Sequence, residues 1–370
     1  LLRAAFLSIC LLLAGWSIAQ HEGHAAADAP ALTDHPGDEK AEFNAGELIM
    51  GHIADEHGWH IAGDLSLPLP VILYDTQRGL QVFSSARFEH GHKSYHGYML
   101  HDGQVVATTA PDGTDAHQAP VDEAATANIW DISITKNVAS ILLLMVLLVV
   151  IFTGVARAYG KRAGKAPKGF QSLVEPIILF VRDDVAKSAI GPKYMRFMPY
   201  LLTIFFVIFL ANLSGLIPIF PFGANLTGNI AITFTLAVFT FVVVTLNGNR
   251  NYWQHIFAMP GVPKWVLIIL TPVEVLGIFL KPFVLMIRLF ANMAAGHIIA
   301  LSFFSLIFVF GATSAAVGYG VSVVSLAFTI FMTILDVLIS FIQAYVFTFL
   351  SALYIGAALE EHHEHKESIV

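Results

Sequence analysis

The chain has 370 residues, 56% of them hydrophobic and only 13% charged, with a mean hydropathy of +0.69 and a formal net charge of −7. Soluble globular proteins carry roughly 25% charged residues, so this composition excludes an ordinary soluble fold and points to an integral membrane protein. Its single cysteine, Cys10, excludes an intramolecular disulfide framework.

Residues 1–19 hold an early Arg3, a short apolar run and then Ser17-Ile-Ala19. This pattern predicts a secretory signal cut after Ala19, an uncleaved anchor being the alternative. Residues 20–135 read as a polar, histidine-rich extracytoplasmic region. Its first part, 21–40, is Ala/Asp/His/Pro-rich and reads as a linker. Farther on, 65–74, 80–84 and 97–100 have the look of strands, separated by turn formers at 75–79 and 101–103. A small β-rich domain is expected, with Pro68 and Pro70 at an edge or a strand start. The histidines here (His52, His57, His60, His90, His92, His96 and His101) match no zinc-ligand spacing. Solvated surface histidines are the expectation, and no metal is assigned.

Residues 136–158 form the first predicted transmembrane helix. Arg157, Lys161, Arg162, Lys165 and Lys168 follow it directly. The excess of basic residues places that loop in the cytoplasm and the amino-terminal domain outside. Within the basic segment 159–196, residues 170–190 repeat apolar positions at helical spacing beside Glu175, Arg182, Asp183, Asp184 and Lys187. They predict an amphipathic helix, either lying along the membrane surface or packed on protein. Residues 200–220 and 230–246 are two further spans, with a Pro/Gly-rich turn between them and a polar loop at 249–251 after the second.

Two long apolar runs complete the membrane region 197–359, one at 264–310 and one at 317–359. As single helices each reaches roughly 60 Å, about twice a bilayer core. Each is therefore two spans without a polar loop or one strongly tilted helix. Polar residues recur along both runs instead of clustering in a loop, which favours single helices. The tail 360–370 is polar and histidine-rich.

At about 100° per residue, Glu274, Lys281 and Arg288, seven apart, drift only slightly around one face. Asn292, four past the arginine, joins them, and His297, nine past it, falls on the opposite side. Asp336 and Gln343 share a face of the last helix. An arginine at membrane depth costs from about 2.5 to more than 10 kcal/mol, so intramembrane Arg, His and Asp together mark an ion or proton route. Histidine and a desolvated aspartate can relay protons. Arginine keeps its proton and acts as a fixed charge.

The stretch PFVLMIRLFANMAAGH at 282–297 closely resembles the signature of the a subunit of F-type ATP synthases. FIQAYVFTFL at 341–350 and PYLLTIFF…ANLSGLIP at 199–218 are similar to two further segments of that family. The resemblance implies an all-α membrane protein with one N-terminal transmembrane helix, an amphipathic surface helix, a transmembrane hairpin and two long tilted membrane helices, preceded by the small β-containing exported domain. It implies a non-catalytic stator subunit in the inner membrane of a bacterium. Its partners would be the c-subunit ring, the b-subunit peripheral stalk and the rest of the F1Fo complex, with protons as the translocated ion and no cofactor, metal or nucleic acid. Arg288 would face the ring carboxylate. His297 and Asp336 would line the extracytoplasmic half-channel, Glu274 the cytoplasmic one, and Asn292 and Gln343 would be polar partners of the arginine. Aspartate at 336 has a short reach, which bears on its direct pairing with His297. The alternatives are a free-standing proton-coupled secondary transporter, for which no internal repeat is found, and a sensor or assembly protein that uses the histidine-rich domain.

Overall fold

The computed structural model describes residue 46 and residues 55–62, 65–101, 103–161, 165–217, 222–259 and 262–360. The predicted signal, the linker at 21–40, His52 and the histidine-rich tail at 361–365 lie outside them.

The amino-terminal unit is built from short antiparallel strands: β1 (Gly58–Ala62), β2 (Leu65–Pro68), β3 (Pro70–Asp75), β4 (Gly79–Ser84), β5 (Tyr98–His101), β6 (Gln104–Ala107) and β7 (Ile129–Asp131). They form the pairs β1–β2 and β5–β6 and a three-stranded sheet in the order β4-β3-β7. The stretch 65–74, read from sequence as one strand, is two. Pro68 closes β2 and Pro70 opens β3, and the N–H of Leu69 between them turns aside to the Ser85 hydroxyl. Proline has no N–H to carry a ladder through, so the strand breaks there. The turn at 75–79 forms as expected. Asp75 Oδ1 accepts from the N–H of Gln77 at 2.7 Å, and Gly79 takes φ 74°. Val71, Leu73, Phe88, Tyr98 and Val105 make the core of this unit. His90, His92, His96 and His101 are exposed. His57 departs from the surface-histidine expectation: it is buried, with Nε2 3.2 Å from Asp131 Oδ2.

The unit joins directly onto the first long helix, α1 (Lys136–Lys161). A helix leaves its first N–H groups without partners. Here residues some 80 positions earlier supply them. Lys136 N–H donates to the Glu56 carbonyl at 2.9 Å, and Asn137 N–H donates to Asp55 Oδ1 at 3.0 Å. The Thr135 hydroxyl donates to the other Asp55 oxygen at 2.9 Å.

Helix α2 (Phe170–Phe180) runs into a π-helical stretch, Val181–Lys187, and a last turn, Ser188–Ile190. Its apolar face (Val181, Val185, Ala186, Ile190) is buried, while Asp183, Asp184 and Lys187 are exposed. That face packs on protein, against α3 (Tyr194–Gly215) and the last helix. Gly191, at φ 72° and followed by Pro192, ends the run and lets the chain change direction into α3.

Helix α4 (Ile230–Asn247) is capped by Asn229, whose side chain accepts from Ala231 N–H. The polar loop expected at 249–251 is instead the start of an eight-residue helix, α5 (Arg250–Phe257). Ile256 turns inward on it, and Trp253 stacks on Phe257. Eight residues are too few for a convincing apolar period in sequence.

Each of the two long apolar runs is one helix: α6 (Lys264–Thr313, 50 residues) and α7 (Ala315–Leu359, 45 residues). At 1.5 Å per residue α6 spans about 75 Å. The two fold back on each other at Ser314, whose backbone is extended. They stay antiparallel along their length. Gly311 meets Gly318 at the tip, Phe303 stacks on Phe328 at 5.1 Å, and Lys281 Nζ lies 5.5 Å from the Tyr354 ring centre. The Leu359 end of α7 is held by Asn249, whose N–H and side-chain amide donate to the Ala358 and Leu359 carbonyls. Polar contacts also tie α3, α4 and α7 together. Tyr200 donates to Thr240 at 2.9 Å, and Thr240 meets Ser351 at 3.3 Å.

Asp55→Ala removes a cap and costs about 1 kcal/mol, so amide exchange at Asn137 rises about fivefold. Burial pushes the Asp55 carboxyl above its ordinary range, against the opposing hydrogen bonds from Asn137 and Thr135. The folded state therefore holds the proton more tightly than the unfolded one. The stability this contributes is full below the ordinary carboxylate range and is lost as pH rises through the raised value. Thermal unfolding of the amino-terminal unit followed by circular dichroism shows this dependence in the parent protein and loses it in Asp55→Asn.

Candidate functional site

The polar residues of α6 divide by exposure, as the helical repeat requires. Leu285, Leu289 and Met293 are buried, facing α4, the short 3-10 turn Leu226–Gly228 before it, and α7. Arg288 and Asn292 are exposed, together with Ala291 and Ala295. Among the described residues Arg288 has no hydrogen bond or ion pair. It lies within electrostatic reach of Tyr354 on α7. Neither Asn292 nor Gln343 is bonded to it. Asn292 shares its open face, and Gln343 is buried on α7 at 7% exposure.

His297 turns the other way, into the protein. Its Nε2 lies 3.3 Å from the carbonyl oxygen of Gly215, at the end of α3, and the Met293 carbonyl is also within reach of the ring. Asp336 is buried on α7 (5% exposed) and lies against the α6 backbone at Gly296, where a Cβ would stand 2.8 Å from Asp336 Oδ1. His297 and Asp336 are within electrostatic reach of each other but make no hydrogen bond or ion pair. The short aspartate occupies the notch above Gly296 and leaves a gap that a bridging water can fill.

Glu274 sits far along the same helix, half-buried and within electrostatic reach of Tyr252 on α5. From Glu274 to Arg288 is about 21 Å of helix, and from Arg288 to His297 a further 13 Å or so. The acid therefore belongs to the α5 end of the bundle, and the His297–Asp336 pair belongs to the α3–α4 turn. Arg288 stands between them.

Some contributors are not evident from sequence. Gly215 supplies the carbonyl for His297 and leaves space for it, since a Cβ there would come within 3.6 Å of His297 Cε1 and 3.2 Å of the Ala224 carbonyl. Beside it lie Asn212, Asn225 and Thr227, all buried, with the Thr227 hydroxyl donating to Asn212 Oδ1. The signal available was polar side chains flanking a turn between two apolar spans.

Residues 138–356 match the family described as ATP synthase A chain. The chain belongs to that family. It is 47% identical over 242 residues to ATP synthase subunit a 2 of Chlorobaculum tepidum, covering 64% of this chain and 66% of the relative. It is 45% identical to ATP synthase subunit a of Chloroherpeton thalassium, covering 64% and 69%. ATP synthase subunit a of Chlorobium phaeobacteroides is 42% identical over 245 residues, with 64% and 69% covered. Membership of the ATP synthase A chain family leaves the free-standing transporter without support. The family match begins in α1 and leaves out the strand-rich unit, whose residues 48–132 match a separate domain of unknown function, DUF8433.

The notch at Gly296 gives a direct test of the α6–α7 contact. Gly296→Ala drives a methyl group into Asp336 and destabilises the protein by about 1–3 kcal/mol. Gly277→Ala, which meets nothing within 4 Å, leaves stability unchanged or raises it by up to about 1 kcal/mol. Thermal unfolding in detergent separates the two.

Proposed function

We propose that this chain is the membrane stator subunit of a bacterial F-type ATP synthase. It guides protons past a rotating ring through two half-channels offset across the membrane and makes no covalent chemistry of its own. The observation that carries this reading is the order along α6. A His–Asp pair is turned inward at one end of the bundle and an acid lies at the other, while an arginine between them is exposed on an apolar flank. A route that ran straight through would have no use for the arginine's outward position.

Arg288 faces a carboxylate brought by a ring helix. A guanidinium nearby favours the ionised carboxylate, so a protonated ring site gives up its proton as it arrives. The site is reprotonated from the other half-channel before it returns to lipid, because entering lipid ionised is costly. Because arginine keeps its own proton, it also blocks direct passage between the two half-channels. Ala291 and Ala295 beside it allow a partner helix to approach closely. His297 and Asp336 serve the extracytoplasmic half-channel and Glu274 the cytoplasmic one, with Asn292 and Gln343 lending polarity near the arginine.

The same reading orients the chain. The amino-terminal unit lies outside and the basic residues after α1 lie inside the bacterial inner membrane, in keeping with the positive-inside rule. Helices α6 and α7, too long to stand upright in a core of about 30 Å, run strongly tilted alongside the ring. A potential of 100 mV supplies about 2.3 kcal/mol per charge, so several protons drive each ATP and the partner must be a ring of many sites. The b-subunit stalk and the rest of F1Fo complete the assembly, and the outer unit helps to stabilise it.

Arg288→Ala tests this in inverted vesicles carrying the whole complex at matched assembly. ATP-driven proton pumping is abolished and passive proton leak rises. Normal pumping in that variant would overturn the reading.

A further inference from the structure

The asparagines behind His297 carry an inference about how a proton reaches it, one that rests on the function proposed above. Asn212 is 1% exposed and Asn225 is 6% exposed. Each spends its side-chain oxygen on structure. Asn212 Oδ1 accepts the Thr227 hydroxyl, and Asn225 Oδ1 accepts the Gly228 N–H at 3.0 Å, capping the turn before α4. In each case Nδ2 is buried with no acceptor among the described residues. A buried donor left unmade costs about 1–3 kcal/mol, and native proteins normally match such groups with protein or ordered water.

Two small cavities adjoin these asparagines on the side facing α1. One, of about 10 Å³, is lined by Ser140 of α1 together with Ser214, Phe222 and Ala224. The other, of about 30 Å³, is lined by Ile141 and Leu144 of α1 with Ala211, Leu226 and Thr227. A single water needs roughly 10–15 Å³ of such space and two or more polar partners. The serine-lined cavity and the unpaired amides provide both. On the other side of the same turn, Gly215 touches both chains of the argument. Its added Cβ would lie 3.7 Å from Asn225 Cα and 3.6 Å from His297 Cε1. The His297 ring, with the Gly215 and Met293 carbonyls in reach and Asp336 as a nearby counter-charge, is well placed to hold a second proton.

We infer that protons enter between α1 and the α3–α4 turn, past Ser140 and Ser214, and that water held by the Asn212 and Asn225 amides passes them to His297. A water that accepts a proton at the serine side releases one to the imidazole, so no net charge stays in the turn. Asn212 and Asn225 are positioning residues: they hold the water and do not titrate.

The test uses the assembled complex in membranes, with Cys10→Ser as background. Asn225→Cys is exposed to a membrane-impermeant thiolate-directed reagent from the side of the amino-terminal unit. Ala237→Cys, at a fully packed site (1% exposed), is the control. Asn225→Ser, which keeps an oxygen for Gly228 but loses the amide, is assayed for proton flux at matched assembly. The expected result is labelling at 225 but not at 237, with flux reduced about tenfold. No labelling at 225, or unchanged flux, overturns the route. If Asn225→Ser does not assemble, Asn212→Asp, which keeps the acceptor for Thr227, takes its place with the same readouts. Arg288→Ala in parallel distinguishes the levels: if it pumps normally the function itself is wrong, and if it is dead while Asn225→Ser is normal, only the route is wrong.

Discussion

A guanidinium on the apolar flank of a membrane helix must be matched by something, and among the described residues this chain offers Arg288 no acceptor. Its open face also carries Asn292 and small alanines. The cost of an unmatched charge at that depth is several kcal/mol, so the flank makes physical sense only against a partner that brings a carboxylate to it. The inward polar residues follow from the same constraint. His297 and Asp336 are enclosed because their task requires shelter from lipid, and Arg288 is left open because its task requires contact.

Close approach of backbones makes that division possible. Asp336 fits only because residue 296 has no side chain, and His297 reaches the end of α3 only because residue 215 has none. A third glycine, Gly356, lets α7 come so near the last turn of the α2 run that a Cβ would overlap the Ala189 carbonyl. Without a hydrophobic drive between helices in lipid, packing of this kind and hydroxyl contacts such as Tyr200–Thr240–Ser351 hold the bundle together.

Much of this was legible in the residues themselves. Polar side chains spaced by seven along runs with no loop signal predicted two single long helices, and the 100° repeat placed Arg288 and His297 on opposite faces, one exposed and one turned inward. What could not be read depends on contacts distant in sequence. Helix α5 is too short to show a period, and only packing of Ile256 and the stacked Trp253 and Phe257 reveal it. The burial of His57 depends on Asp131, 74 residues away. The asparagines of the α3–α4 turn look in sequence like ordinary turn formers, and their unpaired amides appear only once the turn is enclosed between α1 and α6. Arg288 and Asn292 matched a family motif by position, yet the arginine's bonding to Asn292 and Gln343 is absent from the isolated chain.

The joint between the strand-rich unit and α1 bears on how the protein is made. The first amide groups of α1 are satisfied by Asp55 and Glu56, which leave the ribosome some 80 residues ahead of the helix they complete. Translocation of the leading segment and insertion of the first span are thus chemically coupled: the helix start is finished only when the earlier chain has crossed the membrane and folded back onto it. A chain whose outer unit misfolds would leave bare N–H donors at the bilayer surface, a lesion that quality-control proteases can recognise before the rest of the complex is committed.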